Sequence, residues 1–312
     1  MQTTLLSRTF LLFAALGILA GCSSNPSQQE ACTALAQSYC DALQRCSPDL
    51  FQRTYLDAPS CLSRQQLACS TQFPPGSNTT TQNFVTCARA LPGAACNQIL
   101  VNQALIVTNV PECRPLPGNK DNGTICFADS QCKSTYCDKG LFNGLCGSCA
   151  QRALLNEDCD ATACDFGLIC AQQNGVPNRC MMPATATLGQ SCDQMARCQS
   201  GLTCVGQKCT AILKLGDACQ PGQGSDACDR TQGLYCDQNA QKCTATSYVK
   251  PGGACGGAAQ NQRTTCTASS RCINDQVCLG PAGDGQSTFY NCLPPAIASS
   301  GVCVLPDPLL CQ

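Results

Sequence analysis

Cysteine decides what this chain can fold into. It supplies 33 of the 312 residues, roughly one in ten, which is the density of a disulfide scaffold. Such usage belongs to an oxidising compartment rather than a cytosol. Each bridge typically adds about 2–4 kcal/mol by restricting the unfolded chain. The chain needs that help. Only 12% of its residues are charged, 5% are aromatic, and Trp is absent. Large apolar side chains are scarce in the second half, so burial alone would leave a thin core there. The expected fold class is small and disulfide-rich: an N-terminal disulfide-stapled α-helical bundle, followed by an array of loop-rich, short-β cysteine modules.

The count of 33 is odd, and Cys22 accounts for the excess. Arg8 supplies a positive flank, and residues 10–20 form an apolar run of eleven. That run is too short to span a bilayer but suits a signal peptide. Leu19-Ala20-Gly21-Cys22 then resembles the lipobox of bacterial lipoproteins. The resemblance implies cleavage between Gly21 and Cys22, removing 1–21 as signal peptide and leaving Cys22 as a lipidated N-terminus. Several acyl chains on one residue exceed the two-signal threshold for stable anchoring. Removing Cys22 leaves 33 − 1 = 32 cysteines, an even number. Ser23 and Ser24 follow, without Asp; by similarity to the sorting rule of enteric lipoproteins, this points to the outer membrane. Residues 22–29 are the lipidated tether, its polar part reaching about 25 Å at most.

Residues 30–113 read as a helical domain. Ser27-Gln28-Gln29-Glu30 fits a capping box. Cys32, Leu35, Ala36, Tyr39, Cys40, Leu43 and Cys46 then share one helical face, with the three cysteines placed to bridge neighbouring helices. A second helix is expected over about 59–71 and a third from Thr80 or Thr81 to Pro92-Gly93. A less regular fourth is expected over 95–106. The cysteines here are Cys32, Cys40, Cys46, Cys61, Cys69, Cys87, Cys96 and Cys113, and roughly a hundred pairings stay open. Asn78-Thr79-Thr80 and Asn122-Gly123-Thr124 match a glycosylation acceptor but read here as a helix start and a turn.

After Pro115-Leu116-Pro117-Gly118 the helical period ends and a repeat begins. Its clearest copy is GQSCDQMARCQSGLTCVGQKC, residues 189–209. Five sets of four cysteines follow this order, in modules over 119–150, 151–183, 186–211, 214–245 and 250–279. A turn residue stands three before each first cysteine: Gly123, Asn156, Gly189, Gly216 and Gly252. Gly and Asn both tolerate positive φ. Gly-Leu-x-Cys recurs at Gly167-Leu168, Gly201-Leu202 and Gly233-Leu234, and the Leu is expected to cover the bridges. Ser134-Thr135 and Ser269-Ser270 replace it in the first and last copies, which suits looser or capping end modules. Residues 280–312 read as a cysteine-containing tail.

This half resembles the Dickkopf-type N-terminal cysteine-rich region found in bacterial surface lipoproteins of myxobacterial type; the best match is GTICFADSQCKSTYCDKG, residues 123–140. The resemblance implies pairing of first to third and second to fourth cysteine. That gives Cys126–Cys137 with Cys132–Cys146, Cys159–Cys170 with Cys164–Cys180, and Cys192–Cys204 with Cys198–Cys209. It further gives Cys219–Cys236 with Cys228–Cys243, and Cys255–Cys272 with Cys266–Cys278. Cys149, Cys292, Cys303 and Cys311 fall outside these sets, and their pairing stays open.

Catalytic chemistry finds little support. The chain has no His, so the commonest general base and metal ligand are both missing. Gly-x-Ser-x-Gly and phosphate-binding glycine loops are absent. Cys146-Gly147-Ser148-Cys149 is a C-x-x-C, but a redox site needs a helix N-terminus to acidify the thiol, and these surroundings are turn-rich. No second close pair exists to complete a zinc site. Glu157, Asp158, Asp160 and Asp165, and then Asp226 and Asp229, read as solvated loop carboxylates. A net charge of −1 leaves no footprint for nucleic acid. The expectation is a lipid-anchored cell-envelope protein with a structural, adhesive or protein-interaction role, no cofactor and no catalysis. Its partners would be the membrane, through the lipid, and a protein or cell-surface ligand. A ligand-binding or protease-inhibitor-like surface protein is the alternative.

Overall fold

The computed structural model describes residues 25–101, 104–140, 145–171, 178–193, 196–199, 201–220, 227–255, 264–274, 276–288 and 291–311. Gly21 and Cys22, with the signal segment, lie outside them.

Helix α1 (Gln28–Cys46) starts at the expected capping box. The Glu30 N–H donates to the Ser27 hydroxyl, and the Ser27 N–H donates to the Glu30 carboxylate at 2.8 Å. These bonds hold the Glu30 carboxyl below its ordinary pKa. The cysteine face of α1 then makes three bridges to two neighbours. Cys32–Cys69 and Cys40–Cys61 tie it to α3 (Ala58–Ser70), and Cys46–Cys96 ties it to α5 (Cys96–Ile99). Helix α4 (Thr81–Ala90), capped by Thr80, is held through Cys87–Cys113. A short helix α2 (Pro48–Thr54) between α1 and α3 was not expected; Ser47 caps it, Pro48 opens it, and buried Phe51 anchors it. The expected helix over 95–106 stops after one turn. Strands Leu100–Val101 and Ala104–Leu105 take over, in a stretch where β-branched residues favour extended backbone. Leu91, Ile99, Ala42 and Val110 close one core, and Leu43, Phe51 and Tyr55 another.

The second half is a series of short two-stranded sheets, with a three-stranded one in the first module; through residue 279 they pack on paired disulfides. One hydrogen-bond pattern repeats. The turn residue has positive φ, from +69° at Asn156 to +87° at Gly216. Its N–H donates to the carbonyl of the fourth cysteine at 2.7–2.8 Å, and that cysteine's N–H returns to the residue after the turn at 2.8–2.9 Å. Three residues before the turn, a lead residue (Lys120, Ala153, Ala186, Leu213, Val249) bridges in parallel to the second cysteine. Leu168, Leu202 and Leu234 pack on the bridges, as their motif suggested.

This pattern identifies a sixth module in the tail. Ala282 leads and bridges to Cys292, Gly285 turns, and its N–H donates to the Cys303 carbonyl. Thr288 stands where a first cysteine belongs, its N–H bonded to Gly301 as that of Cys192 is to Gln207. Ala298 pairs with Cys303 as Cys170 pairs with Cys180. Both halves of the first-to-third bridge are therefore replaced together, and Cys292–Cys303 remains. Restoring the bridge with Thr288→Cys/Ala298→Cys is expected to raise stability by about 2 kcal/mol, the low end for a disulfide. The checks are the urea midpoint and a free-thiol count; a bond formed without any rise in midpoint would contradict the assignment.

The modules return to the helical domain. In module 1, buried Gln131 accepts from the Phe127 N–H at 2.6 Å and donates to the Pro75 carbonyl at 2.6 Å. Gly118 lies so close to Gln131 that a Cβ would sit 2.2 Å from its backbone. Tyr248 donates to Asp49 at 2.8 Å. Ala268 and Ser269 N–H groups donate to Gln52 and Arg53 carbonyls. Arg64 of α3 grips module 6. Cys146–Cys311, 165 residues apart in sequence, then joins module 1 to the chain beyond module 6. The array is a covalently closed ring.

Candidate functional site

In modules 2 to 5 the disulfides pair first to third and second to fourth: Cys159–Cys170 and Cys164–Cys180, Cys192–Cys204 and Cys198–Cys209, Cys219–Cys236 and Cys228–Cys243, Cys255–Cys272 and Cys266–Cys278. Module 1 needs one correction. Cys126–Cys137 forms, but Cys132 pairs with Cys149 and not with Cys146. Cys149 sits opposite Cys137 in the sheet and accepts the turn bond from Gly123, so it is the true fourth cysteine. Cys146 is thereby free to bond Cys311.

The C-x-x-C is thus split between two different disulfides. Three cysteine sulfurs lie within 4.8 Å of one another in each of modules 1 to 5, the spacing of a metal site. The cause is the stacking of two bridges, whose sulfurs are already bonded and offer no thiolate. The acidic residues cap turns. Glu157 accepts from the Leu154 N–H, Asp158 from Asp160, Asp165 from Phe166, and Asp229 from Thr231. Asp226 lies outside the described residues. Asn78 donates to the Pro117 carbonyl at 2.7 Å.

The residue just before each turn differs between the modules. In module 6 it is Asp284, whose carboxylate takes a bidentate pair from Arg64 at 2.8 and 2.9 Å. Arg64 is buried and also donates to the Leu293 and Pro294 carbonyls. Its hydrogen bonds hold the Asp284 carboxyl below the usual range. In module 1 the position is Asn122, and in module 5 Pro251. In modules 2, 3 and 4 it is Leu155, Leu188 and Leu215, which are 51%, 67% and 66% exposed. Three equivalent leucines thus stand in water on the span of the ring between modules 1 and 5. Each is held by a turn that two disulfides fix. A single exposed Leu is ordinary; the same exposed Leu in three successive copies is a pattern.

Between modules 1 and 2, Arg152 lies over the Tyr136 and Phe166 rings at 4.9 and 4.3 Å and pairs with Asp129 at 3.2 Å. These contacts set one module against the next. Sequence reading found neither Arg152 nor Arg64, because a lone Arg in a polar loop or on a helix carries no local signal of its partner.

The class is defined by this construction: a cysteine-rich protein with a disulfide-stapled helical domain and repeated small cysteine modules. Comparison with protein-family models, with curated proteins and with solved structures found no match. The sixteen disulfides indicate an extracellular or otherwise oxidising location. Among the described residues, no helix is long and apolar enough to cross a membrane.

Proposed function

We propose that this protein is a lipid-anchored cell-envelope protein that binds other proteins or surfaces through the exposed rim of its module ring and carries out no catalysis. The observation that carries the reading is the recurrence of equivalent leucines, Leu155, Leu188 and Leu215, exposed on covalently rigid turns. Rigid apolar anchors lose little entropy on binding, and loops on a fixed scaffold are the usual carriers of recognition. The lipobox-like Leu19-Ala20-Gly21-Cys22 supports the anchor, and the likeness of the repeats to Dickkopf-type modules of bacterial surface lipoproteins supports display at the outer membrane.

The test separates anchor from rim. Cells fed radioactive palmitate are expected to label the wild-type chain and not Cys22→Ser, which should leave the membrane fraction. A membrane-impermeant amine label should reach the wild-type protein on intact cells. The triple variant Leu155→Asn/Leu188→Asn/Leu215→Asn should remain labelled, anchored and unchanged in unfolding midpoint, yet lose cell-to-surface attachment. Attachment equal to wild type in the triple variant would remove the rim from the proposal; absence of palmitate label would remove the anchor.

A further inference from the structure

A cavity of about 310 Å³ lies between helices α1, α3 and α4, the segment 107–116 and module 1. It is roughly twice the size of an engineered apolar cavity of about 150 Å³ that takes up benzene and falls at the small end of ligand sites, which run from roughly 300 to 1,000 Å³. Leu35, Ala36, Phe84, Val107 and Leu116 give it apolar walls. Phe84 is held edge-on by Phe73, with ring centroids 4.8 Å apart. Cys32–Cys69 and Cys87–Cys113 fix α3 and α4 around the space, so it is a standing feature of the fold.

One hydroxyl in this lining is unused. Tyr39 lines the cavity, and no hydrogen bond to its hydroxyl is present among the described residues. Ser130 also belongs to the lining, but its Oγ is sealed from the space. Burial raises the Tyr39 pKa, so the phenol keeps its proton and acts as a donor. The charges beside the cavity are Glu112, Asp129 and Arg114. Asp129 is already paired with Arg152, which leaves Glu112 against Arg114 and no net positive charge to favour an anion. Arg114 is moreover engaged with the Phe166 ring at 5.2 Å.

We infer that this cavity is a binding site for an uncharged, mainly apolar small molecule bearing a hydrogen-bond-accepting oxygen, such as a medium-chain ketone, ester or lactone. The apolar walls take the hydrocarbon. The Tyr39 hydroxyl donates to the oxygen, and an all-hydrocarbon ligand would leave it unsatisfied. The site is separate from the module rim and does not depend on lipidation.

The experiment uses the full disulfide-intact chain and the neutral fluorophore N-phenyl-1-naphthylamine, displaced by nonan-2-one, nonane or nonanoate at neutral pH. Nonan-2-one is expected to displace the fluorophore saturably at one site, and nonanoate to bind at least about tenfold more weakly. Tyr39→Phe is expected to weaken nonan-2-one by about two- to twelvefold, the worth of one hydrogen bond, while leaving nonane unchanged. Ala68→Phe, which fills the lining, should abolish displacement; circular dichroism and a thiol count establish that it folds. No saturable displacement by nonan-2-one would overturn the inference. So would a nonan-2-one affinity in Tyr39→Phe equal to wild type, or nonanoate binding as tightly as the ketone.

Discussion

Replacing Cys146 and Cys311 together by serine is expected to lower stability by about 3 kcal/mol and to enlarge the protein in solution. For a loop closed between residues 165 apart, the chain-entropy model gives about 5 kcal/mol. That is a ceiling, because the bridges inside the modules already shorten the path between the two ends. The native state loses little else: Cys311 is 1% exposed against Phe127 and Ala128, and serine keeps the volume near that of cysteine. Both cysteines must be changed, since one alone would leave a thiol able to exchange with its neighbours. Urea unfolding measures the energy and small-angle scattering the expansion. A variant with the wild-type midpoint and radius of gyration would mean that the contacts to the helical domain hold the ring without this bond.

Arg64→Ala is expected to cost a similar amount, about 3 kcal/mol, and to release module 6 from α3. Arg64 is 8% exposed and makes four hydrogen bonds to Asp284, Leu293 and Pro294. Its loss leaves the two carbonyls without these donors and a carboxylate without its cation, and such truncations are expensive. Arg64→Lys should recover only part of the loss, because an ammonium cannot repeat the two-pronged geometry. The pair also sets an acid limit. The folded pKa of Asp284 is depressed by Arg64, so its contribution is complete above the unfolded carboxylate value, near 3.9. It fades as pH falls through the lower folded value. Protection of residues 291–304 against hydrogen exchange, relative to the unfolded chain at the same pH, should therefore fall in strong acid in the wild type and be low already at neutral pH in Arg64→Ala. Protection of this segment unchanged in Arg64→Ala would show that module 6 docks by other contacts.

Local chemistry made much of the architecture readable. Ser27 and Glu30 marked the start of α1, and the helical spacing of Cys32, Cys40 and Cys46 revealed its bridging face. The turn residues declared themselves because only Gly and Asn accept their φ cheaply. The misassigned fourth cysteine of module 1 had a usable signal. The turn residue follows the fourth cysteine by seven positions (149 to 156, 209 to 216, 278 to 285) or nine (180 to 189, 243 to 252), whereas Cys146 to Asn156 is ten. Module 6 was hidden because Thr288 and Ala298 broke the cysteine count, although Gly285 and Cys292 kept their places. Helix α2 is only seven residues long, with too few turns to show a period. Ring closure, the grip of Arg64 and the cavity depend on contacts between residues far apart in sequence, for which no local pattern exists.

The bond between Cys146 and Cys311 also governs what a protease can do to this protein. In an open string of domains, one cut between modules 3 and 4 would shed everything distal to it. Here both pieces stay attached, the first through its own backbone and the second through sulfur. A chain nicked once anywhere along that span should migrate as a single species until a reductant is added, and only then fall into two fragments. A molecule exposed to hydrolases would thus tolerate its first injury without losing its parts.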